Sequence, residues 1–274
     1  MRKIVNVALA MGLSLWFVAC GEQKHESSTA GSQSAVLRVG ATQVPAAEIL
    51  EYIKPRLAEK GVQLQIQVFT DYVVPNASLA EGSSDVNLYQ HKPFMDKTNE
   101  EKGHHLTALA PIYVVPLGFY SQTLKSASEI PQGAVIAIPG DASNMARALI
   151  LLHDNGVITL KDPSNLNASE LDIVENPRKI VFKPMEAASL PSVLRDVSGA
   201  VINANYALQA NMSLASALFA ENGKSAYANV LVSREDNKTD ERIAKLKDEL
   251  LSKEVREFIL SKYKGQVIPV SGAN

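Results

Sequence analysis

The chain of 274 residues has one cysteine, one tryptophan and no excess of positive charge. A single cysteine excludes an intrachain disulfide and any Cys-rich zinc site. With 27 Lys and Arg against 29 Asp and Glu, the formal net charge is -2, so the basic excess usual in a nucleic-acid binder is missing and no nucleic-acid partner is expected. There is no Gly-x-Ser-x-Gly, which removes the nucleophile elbow of α/β hydrolases. There is no His-Glu-x-x-His either, and Gly223-Lys224-Ser225 ends like a phosphate loop but has Leu218 where its first glycine belongs. What remains is 46% hydrophobic and 20% charged, an ordinary globular composition that rules out whole-chain disorder and a polytopic membrane protein. The length suits one large domain or two small ones.

The one long apolar run is at the N-terminus. Arg2 and Lys3 precede an apolar stretch over 4–18, which is shorter than the ~20 residues needed to span a bilayer. Phe17-Val18-Ala19-Cys20-Gly21 closes it and looks like a bacterial lipoprotein signal, with cleavage before Cys20 and lipidation of that cysteine. Phe17 stands where the pattern more often has Leu, and an ordinary secretory signal with a chance cysteine is the alternative. Residues 22–35 are rich in Ser, Gln and Gly and read as a flexible tether. Cleavage would leave 25 basic and 29 acidic residues, net -4, and no tryptophan, since Trp16 lies in the leader. The expected location is outside the cytoplasm, lipid-anchored to a bacterial membrane and facing the periplasm or the cell exterior.

The body alternates strand and helix patterns. Strands are expected over 36–41, 62–68, 86–88, 106–120 (broken by Pro111 and Pro116), 134–138, 180–182, 199–202 and 229–232. Helices are expected over 46–60, 76–81, 92–102, 142–155, 239–252 and 254–263. This order points to an α/β fold with largely parallel sheets.

Several polar and aromatic residues sit where such a fold gathers its loops. Tyr72, Tyr89 and His91 lie in runs that follow strand patterns, and in parallel sheets the loops at strand C-termini meet at one edge. Each tyrosine could instead be a packed aromatic, and His91 a locally satisfied helix-start residue. On the helix over 142–155, Met145, Ala148, Leu149 and Leu152 mark one core face, and Arg147 points away from it. Near Ser143 and Asn144, a ligand carboxylate there would meet free backbone N–H groups and a guanidinium fork; a solvated surface arginine is the alternative. Asn203 ends one apolar run and Asn229 opens another, so either amide could hold an ammonium or a carboxylate, or simply make a turn. His104-His105 would point to opposite faces of a strand, a poor arrangement for one ion.

Six segments taken together carry a resemblance: DYVVPNASL (71–79), QHKPFMD (90–96), GDASNMARALILL (140–152), VENP (174–177), AVINANYA (200–207) and NVLVSREDNK (229–238). Spread in order across the mature chain, they resemble the methionine-binding lipoprotein family, substrate-binding subunits of methionine ABC importers. The resemblance implies a two-lobed periplasmic-binding-protein fold, type II-like, with the ligand in the cleft. Its implied lobes are 35–116 with 230–274, and 117–229, after a signal peptide (1–19) and tether (20–34). It also implies ligand contacts at Tyr72, Tyr89, His91, Asn144, Arg147, Asn203 and Asn229. Arg147 would take the carboxylate with support from Asn144, Asn203 and Asn229 would hold the amino and carboxylate groups, and the rings would enclose a thioether. The implied partners are L-methionine or a related small amino-acid ligand, a permease with its ATPase, and the membrane through the lipid on Cys20. No cofactor, metal or enzymatic activity is implied. Tyr89 departs from a usual Phe, Val115 from a frequent Tyr and Gly140 from a frequent Asn, which leaves open which relative of methionine fits. Rival readings are a metal-binding solute protein using His91 with His104 or His105, a surface lipoprotein with a structural or adhesive role, and an enzyme.

Overall fold

Strict alternation in one segment and helical spacing in the next shape the first part of the fold. The computed structural model describes residues 35–222 and 226–270. The leader, Cys20, the tether and Gly223-Lys224-Ser225 lie outside the described residues. β1 (Ala35–Thr42) is followed by α1 (Glu48–Glu59), whose Ile49, Leu50, Ile53 and Leu57 form one buried stripe. Gly61, at φ +79, ends the helix turn in a conformation that side chains resist. β2 (Val62–Phe69) pairs in parallel with β1 at a sheet edge, its glutamines at 63 and 65 facing water. Then come α2 (Val74–Ala80), β3 (Val86–His91), α3 (Lys92–Lys102) and β4 (Leu106–Val114).

The chain next builds a second sheet. It runs through β5 (Gly118–Tyr120), β6 (Val135–Pro139), α4 (Ala142–Asp154), the short antiparallel pair β7 (Thr159–Leu160) and β8 (Ile173–Glu175), β9 (Val181–Met185), β10 (Gly199–Ile202), α5 (Ala204–Gln209) and β11 (Phe219–Ala220). It returns through β12 (Asn229–Arg234), α6 (Glu241–Leu250), α7 (Lys253–Tyr263) and β13 (Ile268–Pro269). One sheet has the order β13-β4-β12-β3-β1-β2, the other β11-β5-β10-β6-β9. The chain therefore crosses between lobes twice, from β4 to β5 and from β11 to β12.

The parallel arrangement read from the sequence holds only for three strands at one end of each sheet, β2-β1-β3 and β9-β6-β10. β12 and β5 enter their sheets antiparallel, because each arrives from the opposite lobe. Pro111 does not break β4. The register on β12 skips there, from Asn229 opposite Tyr113 to Val230 opposite Pro111, and this bulge accommodates a residue with no N–H. α5, the 3-10 stretch Ala187–Arg195 and the short strands β7, β8, β11 and β13 have no counterpart among the sequence expectations. Their apolar runs are too short to show a period.

Each lobe has its own core. Leu37, Val39, Ile53, Leu88, Leu231 and Ile259 belong to the first, and Phe119, Ile136, Leu149, Leu152 and Val201 to the second. α5 serves both lobes. Ala204 joins the first-lobe core, while Tyr206 and Ala207 join a cluster around Leu190 and Ile202 on which Tyr72 also packs.

β3 is buried along its whole length, polar residues included. A knot of three buried amides makes this tolerable. Asn76 Nδ2 donates to Gln90 Oε1 (2.8 Å), and Asn76 Oδ1 accepts from Asn87 Nδ2 (2.9 Å) and Gln90 Nε2 (2.6 Å). The knot fastens α2 to β3 and so sets the spacing between Tyr72, ahead of α2, and the aromatic face of β3. Asn76→Ala removes these three bonds, leaves Gln90 Oε1 in the core without its donor, and should lower stability by about 1–3 kcal/mol. Urea unfolding measures this, and an unchanged midpoint would show that the knot adds nothing.

Candidate functional site

Three strand-to-helix junctions converge in the cleft between the lobes: β3 into α3, β6 into α4, and β10 into α5. Ligand sites of open α/β sheets form at such C-terminal edges. Tyr89 and His91, two apart on β3, share one face of the strand. β3 runs three residues further than its apolar run indicates, so both are strand residues instead of loop residues. His91 also caps α3, its Nδ1 accepting from Phe94 N at 3.2 Å. That acceptor role puts the imidazole proton on Nε2, which donates to Asn144 Oδ1 at 3.2 Å across the cleft.

Asn144 is the hub of the site. Its Nδ2 donates to both oxygens of Asp141 (3.0 and 3.1 Å), the residue that caps α4. Because Asp141 can only accept, Asn144 must turn Oδ1 the other way, toward His91 and Asn203 Nδ2 (2.8 Å). Asn203 must then turn its own Oδ1 outward, where it is buried with no partner among the described residues. Asn203 occupies the cap position of α5 without capping it. On the other side, Asn205 Oδ1 accepts from Tyr72 Oη, and Asn205 Nδ2 is left buried without a partner among the described residues. These two amides thus offer one unused acceptor and one unused donor.

Arg147 is only 2% exposed, which overturns the solvated-surface alternative. Ala148, Leu149 and Leu152 do face the second-lobe core, while Met145 is only partly buried. Arg147 lies on the other face of α4, and that face is covered too. Its Nε donates to Glu221 Oε1 (2.7 Å) and its Nη2 to Glu221 Oε2 (2.5 Å) and Val115 O (2.9 Å). The Tyr227 ring lies 4.6 Å from the guanidinium carbon. Nη1 is the nitrogen left without a hydrogen bond among the described residues. The expected support of Arg147 by Asn144 is not what forms: Glu221 and the Val115 carbonyl hold the guanidinium, and Asn144 links His91 to Asn203. The free fork expected for a ligand carboxylate is reduced to one nitrogen for the same reason.

Asn229 pairs with His91 on one side and Tyr113 on the other. Its Nδ2 donates to Tyr89 O at 3.0 Å, which fixes the amide against β3. The departure at Tyr89 also resolves: its hydroxyl donates to Tyr72 O at 3.1 Å and ties the Tyr72 segment down. The rings of Tyr72, Tyr89, His91 and Phe94 form a slot, Tyr72 and Tyr89 each about 6 Å from Phe94 between centroids (5.9 and 6.1 Å) and His91 at 6.2 Å.

All seven residues singled out from the sequence line one pocket, together with Gln90, Phe94, Val115 and Asn205. About 300 Å³ of space between these side chains is free of atoms, open solvent included. Sequence reasoning missed Phe94, Asn205, Glu221 and Tyr227. Phe94 and Asn205 lie inside the quoted segments; Glu221 has no local signal, since its partner is 74 residues away. His104 and His105 lie between α3 and β4 in irregular backbone instead of on a strand. Among the described residues no group of three His, Cys, Asp or Glu could hold a metal ion. The zinc alternative also needs His91, and both of its ring nitrogens are bonded.

Burial sets the electrostatics. It holds the His91 imidazole neutral, with Arg147 adding to the effect and Asn144 opposing it, and lowers its pKa from 6.5 to about 3. Burial raises the Tyr72 and Tyr89 hydroxyls well above their ordinary range, so both stay protonated. Burial also opposes the Arg147 charge, but the Glu221 carboxylate more than offsets it and the net shift is upward.

A two-lobed α/β chain with two crossings, a type II-like strand order and a polar, ring-lined cleft is a substrate-binding protein. Residues 37–271 match the NlpA lipoprotein family, and the chain belongs to that family, which includes methionine-binding lipoproteins. It is 37% identical over 253 residues to a probable D-methionine-binding lipoprotein MetQ of Pasteurella multocida, covering 91% of this chain and 92% of that one. A crystal structure of a lipoprotein from Ruminococcus gnavus superimposes with a TM-score of 0.84 at 43% identity, over 86% of this chain and 99% of that one. A nutrient binding protein from Burkholderia cenocepacia, solved bound to methionine, gives 0.82 at 39% identity, over 85% and 99%. Among the described residues no helix is long and apolar enough to cross a membrane.

His91 carries a pH dependence. Its pKa is depressed in the fold, so between about 6.5 and 3 the unfolded chain binds a proton that the folded chain refuses. Its contribution is therefore present above pH 6.5 and lost as the pH falls, at up to about 1.4 kcal/mol per unit. His91→Asn keeps a capping side chain and should flatten the stability profile between pH 6.5 and 4, read from urea midpoints of both proteins. Parallel profiles would refute the assignment.

Proposed function

We propose that this protein is the substrate-binding lipoprotein of an ABC importer and that it captures methionine, or a close amino-acid relative, between its lobes. The observation that carries the reading is the pair of unused buried atoms on residues that line the same pocket as Arg147. Asn203 Oδ1 suits an α-ammonium, and Asn205 Nδ2 with Arg147 Nη1 suits an α-carboxylate. Buried polar atoms left unpaired cost stability, and a zwitterion would satisfy both kinds at once. The slot of Tyr72, Tyr89, His91 and Phe94 suits a thioether, because sulfur against ring edges is a favourable contact. The methionine in the Burkholderia cenocepacia relative supports the same reading.

The contacts come from both lobes: Tyr72, Tyr89, His91 and Asn229 from the first sheet and its helices, Asn144, Arg147, Asn203 and Asn205 from the second. A ligand touching both sides binds the shut form better and shifts a hinge equilibrium, the hinge being the two crossing segments. Asn203, Asn229 and Arg147 are buried, so the lobes must part for exchange. The loaded form would then dock on a permease driven by its ATPase, held nearby by the lipid on Cys20 and the tether over 20–34. Binding and release complete this role, and no covalent step is required.

Calorimetry with L- and D-methionine tests the reading and its stereochemistry together. At least one form should bind, and Arg147→Gln should weaken binding by about 2–5 kcal/mol. Absence of binding to either form, in a folded protein whose native mass shows no copurified ligand, would reject it.

A further inference from the structure

Arg147 is not the lone cation that its place in the pocket implies. Glu221 grips Nε and Nη2 together and is itself only 14% exposed. Two further bonds hold it: its Oε2 accepts from Leu117 N at 2.9 Å, and its own N–H donates to Leu117 O at 2.9 Å. This carboxylate is not part of the pocket wall, yet it stands directly behind the one charged side chain that is. The other nearby carboxylate, Asp141, is also outside the wall and is spent on the cap of α4 and on Asn144.

We propose that Glu221 is a specificity-determining residue: by neutralising Arg147 from behind and leaving it one free nitrogen, it makes the pocket favour a zwitterionic amino acid over an anion with the same side chain. The inference rests on the amino-acid reading of the site. A bare buried guanidinium would reward any carboxylate, and a 2-hydroxy acid could take the same seat. A neutral pair gives no such net reward, so the ligand must bring its own compensating ammonium to Asn203 Oδ1. Recognition is thereby divided between the acid and amine ends, and neither alone is enough.

The test compares L-methionine with its α-hydroxy acid analogue, in which a hydroxyl replaces the ammonium and a hydrogen-bond donor is kept. Calorimetry at neutral pH should show the native protein preferring methionine by about 100-fold. Glu221→Gln, checked for folding by circular dichroism, should narrow that preference by about tenfold, with the α-hydroxy acid gaining relative to methionine. A purely structural role for Glu221 would weaken both ligands alike, and an unchanged ratio overturns the proposal. Should the variant not fold, the native protein still decides: equal affinity for the two ligands means that charge balance does not select. If the native protein binds neither form of methionine, the amino-acid reading itself has failed, a result distinct from an unmoved ratio.

Discussion

The ion pair between Arg147 and Glu221 is the interaction on which the rest of the cleft depends. It ties together the two segments by which the chain crosses between lobes. Arg147 Nη2 donates to Val115 O and Glu221 accepts from Leu117 N, both on the first crossing, and Glu221 itself opens the second. Ion pairs so deeply buried are costly to desolvate and are held only where hydrogen bonds complete them. Here backbone groups on both sides do so. Arg147 is thus bonded to residues of both crossing segments.

A second constraint runs outward from Asp141. Being able only to accept, it orients the Asn144 amide; Asn144 orients Asn203; and Asn203 is left showing its oxygen to the cleft. His91 joins the same network through Nε2, with its tautomer set by the cap it makes on α3. Polar character at the pocket wall is thus dictated from behind, by side chains no ligand need reach. The unused atoms are a local cost in stability, and such costs gather where a ligand is meant to settle them.

Much of the architecture was legible in the sequence. Ile49, Leu50, Ile53 and Leu57 declare α1 by spacing, and the glutamines at 63 and 65 declare the wet face of β2. The seven site residues found from sequence runs and their resemblance do line one pocket. What went wrong did so for physical reasons. The sequence pattern of β3 ends early because Asn87, Gln90 and His91 have the polarity of surface residues, and only the amide knot with Asn76 lets the first two be buried. Pro111 has the local signature of a break, and the bulge that admits it is made with β12, from a distant part of the chain. The resemblance implies Asn144 as the support of Arg147, whereas Glu221, which does hold it, follows a strand end that no local pattern connects to it.

By itself, the sequence determined the order of the longer strands and helices and which residue types could serve an amino-acid ligand. Those features follow from periodicity, backbone preference and capping, which act within a few positions along the chain. The tertiary structure alone decided that Arg147 would be half of a pair, that His91 would stay neutral, and that Asn203 would present an oxygen. Charge state and amide orientation depend on burial and on partners brought together from distant segments, and only folding supplies either.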